Sequence, residues 1–124
     1  KQATVTTTVN ATGSFNSTDV VPQDATNKSS VGLVVLYKDQ AGTNTLDTDI
    51  IAKVRANTGQ AYQTLALRGI DGTTTPSGAF SGGMKRAIAP AIAVTAGQAL
   101  SYQISFANQS GAKEGRIHGI AMTY

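Results

Sequence analysis

The stretch LSYQISFANQSGAKEGRIHGIAMTY, residues Leu100 to Tyr124, decides the fold class. Its first part alternates polar or small residues with the apolar residues Leu100, Tyr102, Ile104 and Phe106. A period of two is typical of a β-strand with one buried face, because successive side chains point to opposite sides. The glycine-bearing segment Asn108–Glu114 predicts a chain reversal, and the apolar run Ile117–Tyr124 predicts a second, paired strand. We therefore expect a C-terminal hairpin that lies well inside a sheet.

The composition indicates that the whole chain is all-β. Its 124 residues fit one domain, 1–124, which is long enough to bury a core without disulfides or metal. Charged residues make up only 14%, and 13 glycines accompany many Thr, Ser and Asn residues. Threonine favours strands, whereas glycine and asparagine favour the turns between them. No segment has the pattern of an amphipathic helix.

Short apolar runs at regular spacing predict the remaining strands. The run Gly32–Tyr37 is apolar on both faces, which is typical of a central strand. In 49–56, Lys53 and Arg55 alternate with apolar residues and should point outward. Pro90 interrupts the strand 84–94, and because proline cannot donate to a ladder it predicts an edge or a bulge. The sequence therefore predicts a single, jelly-roll-like β-sandwich of about seven or eight antiparallel strands.

The N-terminal residues 1–16 are interpreted as a long strand or arm. Val5, Thr7 and Val9 lie on one face of an alternating segment that extends to Asn16. It is either an edge strand of its own sheet or a strand that pairs with a neighbouring subunit, as in donor-strand assembly. The second interpretation makes Val5, Thr7 and Val9 assembly candidates.

Residues with catalytic or metal-binding chemistry are few. The chain has no cysteine, which excludes disulfides, thiolate catalysis and Cys-ligated zinc. Its one histidine, His118, should be a half-buried packing residue on the strand face of Ile120. Asp39, Asp47 and Asp49 flank one loop and form a weak calcium candidate, although aspartate is also an ordinary turn residue. We expect no enzyme, no catalytic residue and no cofactor.

Binding candidates are sparse as well. The formal net charge is +3, but the basic residues form no cluster with aromatic ones, so we expect no nucleic-acid partner. No apolar run approaches the length of a membrane span, so we expect no membrane partner. Lys53 and Arg55 either form a solvated outer face or meet a phosphate, a sugar or an acidic neighbour. Phe80, in the Gly-rich loop 69–83, is a candidate for stacking on a sugar.

Several short motifs, taken in order, resemble a module found in structural proteins of tailed bacteriophages, notably marine and environmental ones. The resemblance runs from about residue 11 to the C-terminus. Its most characteristic part is Ala107-Asn-Gln109 followed by Lys113-Glu-Gly-Arg-Ile-His-Gly119. The other matching segments are Ala11-Thr-Gly-Ser14, Gly32-Leu-Val-Val-Leu-Tyr-Lys-Asp39, Ala41-Gly-Thr-Asn-Thr-Leu-Asp-Thr-Asp-Ile50 and Ala56-Asn-Thr-Gly59.

The resemblance implies a non-catalytic β-sandwich on the virion surface, in capsid decoration, head fibres or tail appendages. Partners would be copies of the chain, as a trimer or a repeated element, together with other virion proteins. The sequence departs from the module at Tyr62, where many relatives carry Trp, and at Ile120, where an aromatic residue is frequent. Arg116, His118 and Gly119 are implied only as a structural signature. Two alternatives stay open: a carbohydrate-binding module for host recognition, and a pilus-like subunit that polymerises through its N-terminal strand.

Overall fold

The structure is a computed structural model that describes residues 12–78 and 80–124. This part of the chain contains eight strands, one short 3-10 turn at Ser81–Gly83 and no α-helix. The strands are β1 Gly13–Asn16, β2 Lys28–Ala41, β3 Ile50–Arg55, β4 Gln63–Thr64, β5 Arg68–Gly69, β6 Met84–Gly97, β7 Ser101–Phe106 and β8 Glu114–Thr123. The predicted all-β fold is confirmed. Of the predicted N-terminal strand 1–16, only β1 and Thr12 are described, and the candidates Val5, Thr7 and Val9 lie outside the described residues.

The strands form two four-stranded antiparallel sheets that pack as a β-sandwich. Sheet one has the order β1-β7-β3-β4, and sheet two has the order β5-β6-β2-β8. The pairs β1–β7 and β2–β6 are nested in the sequence, as in a jelly roll. One apolar core joins the inner faces of both sheets, because the inward residues of β2, β3 and β7 are almost fully buried. Its largest members include Leu33, Tyr37, Ile50, Leu65, Leu67 and Ile104.

The predicted C-terminal hairpin is wrong, because its two strands belong to different sheets. β7 lies inside sheet one between β1 and β3, whereas β8 lies at the edge of sheet two beside β2. The polar connection between them is held by the loop after β2: Asn108 donates to Asp49, and Gln109 donates to Asn44. Alternation alone did not distinguish the two arrangements, since strands facing each other across a core have the same pattern as paired strands.

Pro90 lies at a bulge, one of the two positions that were predicted for it. Val31 pairs with Ile92 and Leu33 with Ala89, so β6 carries one extra residue opposite Gly32. The β6 backbone approaches Gly32 so closely that a Cβ there would lie 2.7 Å from the Ala89 carbonyl oxygen and the Ala91 nitrogen. Glycine is therefore required at this position by the neighbouring strand.

A second bulge changes the expected position of His118. Leu36 pairs with Gly119 and Tyr37 with Ile117, which leaves His118 as the extra residue of β8. The alternation shifts there, so Ile117 and Ile120 both face the core while His118 is exposed. The expected half-buried position on the face of Ile120 is therefore wrong, and the cause is the inserted residue.

Candidate assembly surface

The outward side of sheet two carries an apolar surface on the strands β6, β2 and β8. Val34 pairs with Ile88 on one side and with Ala121 on the other, so the three side chains lie side by side across β6, β2 and β8. Leu36 is the next outward residue of β2, beside Gly119 of β8. We call Val34, Leu36, Ile88 and Ala121 the outer apolar face. Ile88 is the most open large side chain, at 37% exposure.

Sheet one has a more polar outward side. Lys53 of β3 pairs with Gln103 of β7, and the neighbouring Ile51 pairs with Ser105. The inward residues of β3 are buried and the outward ones are half-buried, which confirms the predicted orientation of Lys53 and Arg55. An antiparallel sheet with one solvated face normally alternates buried apolar and outward polar residues in this way. The outward side of sheet two differs, because apolar residues lie on it.

Arg55 is held against its own sheet. Its guanidinium lies over the Tyr62 ring, 4.5 Å from the ring centroid, and donates to the Gln60 carbonyl oxygen at 3.3 Å. The Tyr62 hydroxyl shares a 2.7 Å hydrogen bond with Ser101 of β7. These contacts give Arg55 a structural role in joining β3 to the segment around Tyr62. Which ligand Lys53 and Arg55 would meet stays a prediction.

One end of the outer apolar face is basic. Lys38 of β2 pairs with Arg116 of β8, and Arg86 of β6 lies opposite Leu36. The other end carries Gly32 and Thr123, which are uncharged. Among the described strands, β8 has only β2 as a neighbour, and it holds a bulge and the exposed Arg116. Both features discourage edge-to-edge strand pairing. Contact through the outward side is therefore better supported than extension of the sheet at this edge.

The carboxylates of the chain are engaged in structural contacts. Asp39 accepts bonds from the backbone N–H and the side-chain amide of Asn44, at 3.0 and 2.8 Å, and pairs with Lys85 at 2.6 Å. Asp47 accepts from the Leu67 N–H at 2.9 Å and pairs with Arg68. Apart from Asp49, the other hydrogen-bonded acids are Asp19 with Thr58, Asp24 with Thr26 and Lys28, Asp71 with Thr73, and Glu114 with Arg116.

Asp49 is the most buried acid, at 1% exposure. Burial acts to raise the pKa of its carboxyl, but the bonds from the Thr45 N–H, Asn108 and Lys113 outweigh burial and lower the pKa. Lys113 lies 3.1 Å from the carboxylate. Asp49 therefore acts as an ionised anchor that ties the loop after β2 to the connection before β8.

Each of the three calcium candidates is paired with a different cationic side chain. The pairs are Asp39 with Lys85, Asp47 with Arg68, and Asp49 with Lys113. Across residues 12–78 and 80–124, no group of three or more His, Cys, Asp or Glu side chains is arranged to hold a metal ion. The geometry favours the alternative interpretation, in which these aspartates shape the turns.

A cavity of about 240 Å³ opens beside β5 and β6, on the same side of sheet two as the outer apolar face. Its lining residues are Ile70, Asp71, Pro76, Ser77, Gly78 and Arg86. Phe80 belongs to the same loop and is 47% exposed, as a ligand-stacking residue would be. Lys53 and Arg55 lie on the other sheet, so the structure does not bring the predicted binding residues into one site.

Sequence reasoning did not identify Arg86 or the outer apolar face. The signal for the face was present, because Gly32–Tyr37 is apolar at both alternating sets of positions. The same pattern is also typical of a central strand that is covered on both sides, which is the structure that the sequence predicts. The cavity had no signal in the sequence, since it depends on how the loop after β5 folds against β6.

Comparison with known proteins finds no matching family model, no matching curated protein and no matching solved structure. Within the described ranges, the molecule has no helix of the length and apolar character that crossing a bilayer requires.

Proposed function

We propose that this chain is a non-enzymatic structural protein of a phage virion, a capsid decoration or a tail or fibre component, that assembles with copies of itself. The observation that carries the proposal is the outer apolar face on one sheet of an otherwise polar sandwich. Contiguous apolar surface on an exposed sheet is typical of a protein–protein contact. The virion location rests on the motif resemblance alone.

The use of the acids supports a structural role. All seven Asp and Glu residues of the chain accept hydrogen bonds from other residues of the fold, either within one turn or strand or between separate segments. General acid or base catalysis needs a carboxyl group that can reach a substrate proton at a suitable pKa. Acids that anchor turns make the fold rigid, and a rigid fold suits a structural subunit.

A second copy is the partner that best fits the outer apolar face. If two copies meet face to face with antiparallel strands, the apolar centres around Val34 and Ile88 come together. The basic end at Lys38 and Arg116 then lies opposite the uncharged end at Thr123 of the other copy. Like charges are kept apart, as a self-complementary contact requires. Larger symmetric assemblies would build on this contact.

The test is the mass of the purified chain by light scattering over a range of concentrations. We expect an oligomer for the wild type and a monomer for Ile88→Lys, because the new charge would be buried in an apolar contact. The matched control is Thr95→Lys, which adds the same charge at an exposed position of the same strand outside the face. A folded wild type that stays monomeric throughout, or equal masses for both variants, would contradict the proposal.

A further inference from the structure

The cavity beside β5 and β6 has the features of a small ligand site. Ile70, 53% exposed, and Pro76 supply apolar wall, while Asp71, Ser77 and Arg86 supply polar groups. A predominantly apolar concavity with a few convergent polar groups is the common form of a small-molecule site. At about 240 Å³ it is below the usual range for drug-sized ligands, so its occupant would be about as large as a single sugar ring.

Arg86 is the polar residue in this cavity whose bonding is least complete. Its Nε is buried and has no hydrogen-bond partner among the described residues. Its neighbour Lys85 is paired with Asp39, whereas the described residues provide Arg86 with no carboxylate within 4.0 Å. Arg86 lines the cavity and its guanidinium carries five N–H donors, so it has capacity for an acceptor bound there. A carboxylate matches the guanidinium fork and gives a charge-assisted bond.

Asp71 restricts the kind of anion that fits. Hydrogen bonds from the Thr73 N–H and hydroxyl lower the pKa of the Asp71 carboxyl, so it is ionised at neutral pH. A dianion such as phosphate or sulfate would be repelled by this second charge in the same cavity. A ligand with one carboxylate for Arg86 and hydroxyl groups that donate to Asp71 satisfies both residues.

We propose that the cavity formed by Ile70, Asp71, Ser77 and Arg86 binds a sugar acid, a uronic or sialic acid residue of a glycan. The apolar wall at Ile70 contacts a ring face, Arg86 pairs with the carboxylate, and Asp71 accepts from ring hydroxyls. The site is formed within one chain. Arg86 also borders the outer apolar face, so assembly can cover the cavity. The two proposals are tested by separate measurements, chemical shifts for ligand binding and mass for self-association, so failure of one is distinguishable from failure of the other.

The experiment is a titration of the isotope-labelled full chain, followed by amide chemical shifts, with glucuronic acid and N-acetylneuraminic acid as the probes. Glucose is the neutral control and inorganic sulfate is the simple-anion control. We expect saturable shifts confined to the cavity residues for at least one acid, with a Kd on the order of 1 mM. Glucose and sulfate should each bind at least about 10-fold more weakly.

The variant Arg86→Gln should weaken binding at least about 10-fold, since it removes the charged fork and keeps a polar side chain. The matched control is Arg55→Gln, which removes another outward arginine with a buried, unpartnered Nε from the opposite sheet and should leave the titration unchanged. Absence of cavity shifts with both acids, or equal binding by Arg86→Gln, would overturn the site. Equal affinity for sulfate and the acids would overturn the sugar-acid assignment.

Discussion

The Lys85 ammonium lies 2.6 Å from the Asp39 carboxylate, with side chains only 13% and 9% exposed. Truncating the lysine leaves a largely buried carboxylate without its cation, which is costly even when intact buried pairs contribute little. Lys85→Ala should lower the free energy of unfolding by about 2–4 kcal/mol in urea titrations. The control is Lys28→Ala, whose partner Asp24 is 57% exposed, so the expected loss is clearly smaller. Equal losses would show that burial of the first pair has no energetic consequence.

Gly32 should not tolerate a side chain. An alanine Cβ would contact the β6 bulge backbone and the Thr123 hydroxyl at 2.7 Å, so the central strand or the bulge must shift. Gly32→Ala should cost about 1–3 kcal/mol, as overpacking generally does. Gly13→Ala is the matched change in β1, where a Cβ meets nothing within 4 Å, and its effect should stay within about 0.5 kcal/mol. Thermal or urea unfolding of both variants checks this, and an unaffected Gly32→Ala would mean that the bulge is absent or pliable.

Removing the hydroxyl of Tyr37 and removing that of Tyr62 should change the free energy of unfolding in opposite directions. The Tyr37 hydroxyl is buried with no hydrogen-bond partner among the described residues, and burial raises the pKa of its phenol. Tyr37→Phe removes an unsatisfied group and should raise the free energy of unfolding by about 1 kcal/mol. Tyr62→Phe removes the 2.7 Å bond to Ser101 and should lower it by about 1 kcal/mol. A loss of stability in Tyr37→Phe would reveal a partner for the hydroxyl.

The stability of the chain should fall in acid partly through Asp49. Its pKa in the folded state is lowered, despite burial, by hydrogen bonds and Lys113, so folding favours the ionised form. This contribution is fully present above the unfolded value of 3.8 and is lost as pH falls below it through the folded pKa. The wild type should therefore lose more stability between pH 5 and pH 3 than Asp49→Asn. Parallel declines in denaturant titrations at the two pH values would contradict this assignment.

Local patterns allowed the strands and much of the core to be predicted. Strict alternation identified β3 and β7. Pro90 indicated the bulge because proline lacks the backbone N–H that a continuous strand ladder needs. The pairing of β7 and β8 could not be obtained in this way. They belong to different sheets, and their connection bonds to residues far away in the chain, Asn108 to Asp49 and Gln109 to Asn44, which local patterns do not show.

The site was less predictable than the fold. Lys53, Arg55 and Phe80 were predicted from the sequence as binding candidates, but their distance from one another depends on which sheet each joins. Arg86 was inconspicuous because a basic pair on a strand is ordinary. Its significance arises from the loop that places Ile70, Asp71 and Ser77 around it.

Self-association through the outer apolar face can be tested most directly by footprinting that face. The chain has no cysteine, so Ala121→Cys introduces a unique, exposed thiol beside Val34. The rate of maleimide labelling depends on access to the thiol. The proposal predicts that labelling of Ala121→Cys slows several-fold as protein concentration rises, while the exposed control Thr95→Cys labels at a constant rate. Constant labelling of both thiols across the concentration range would contradict the central claim.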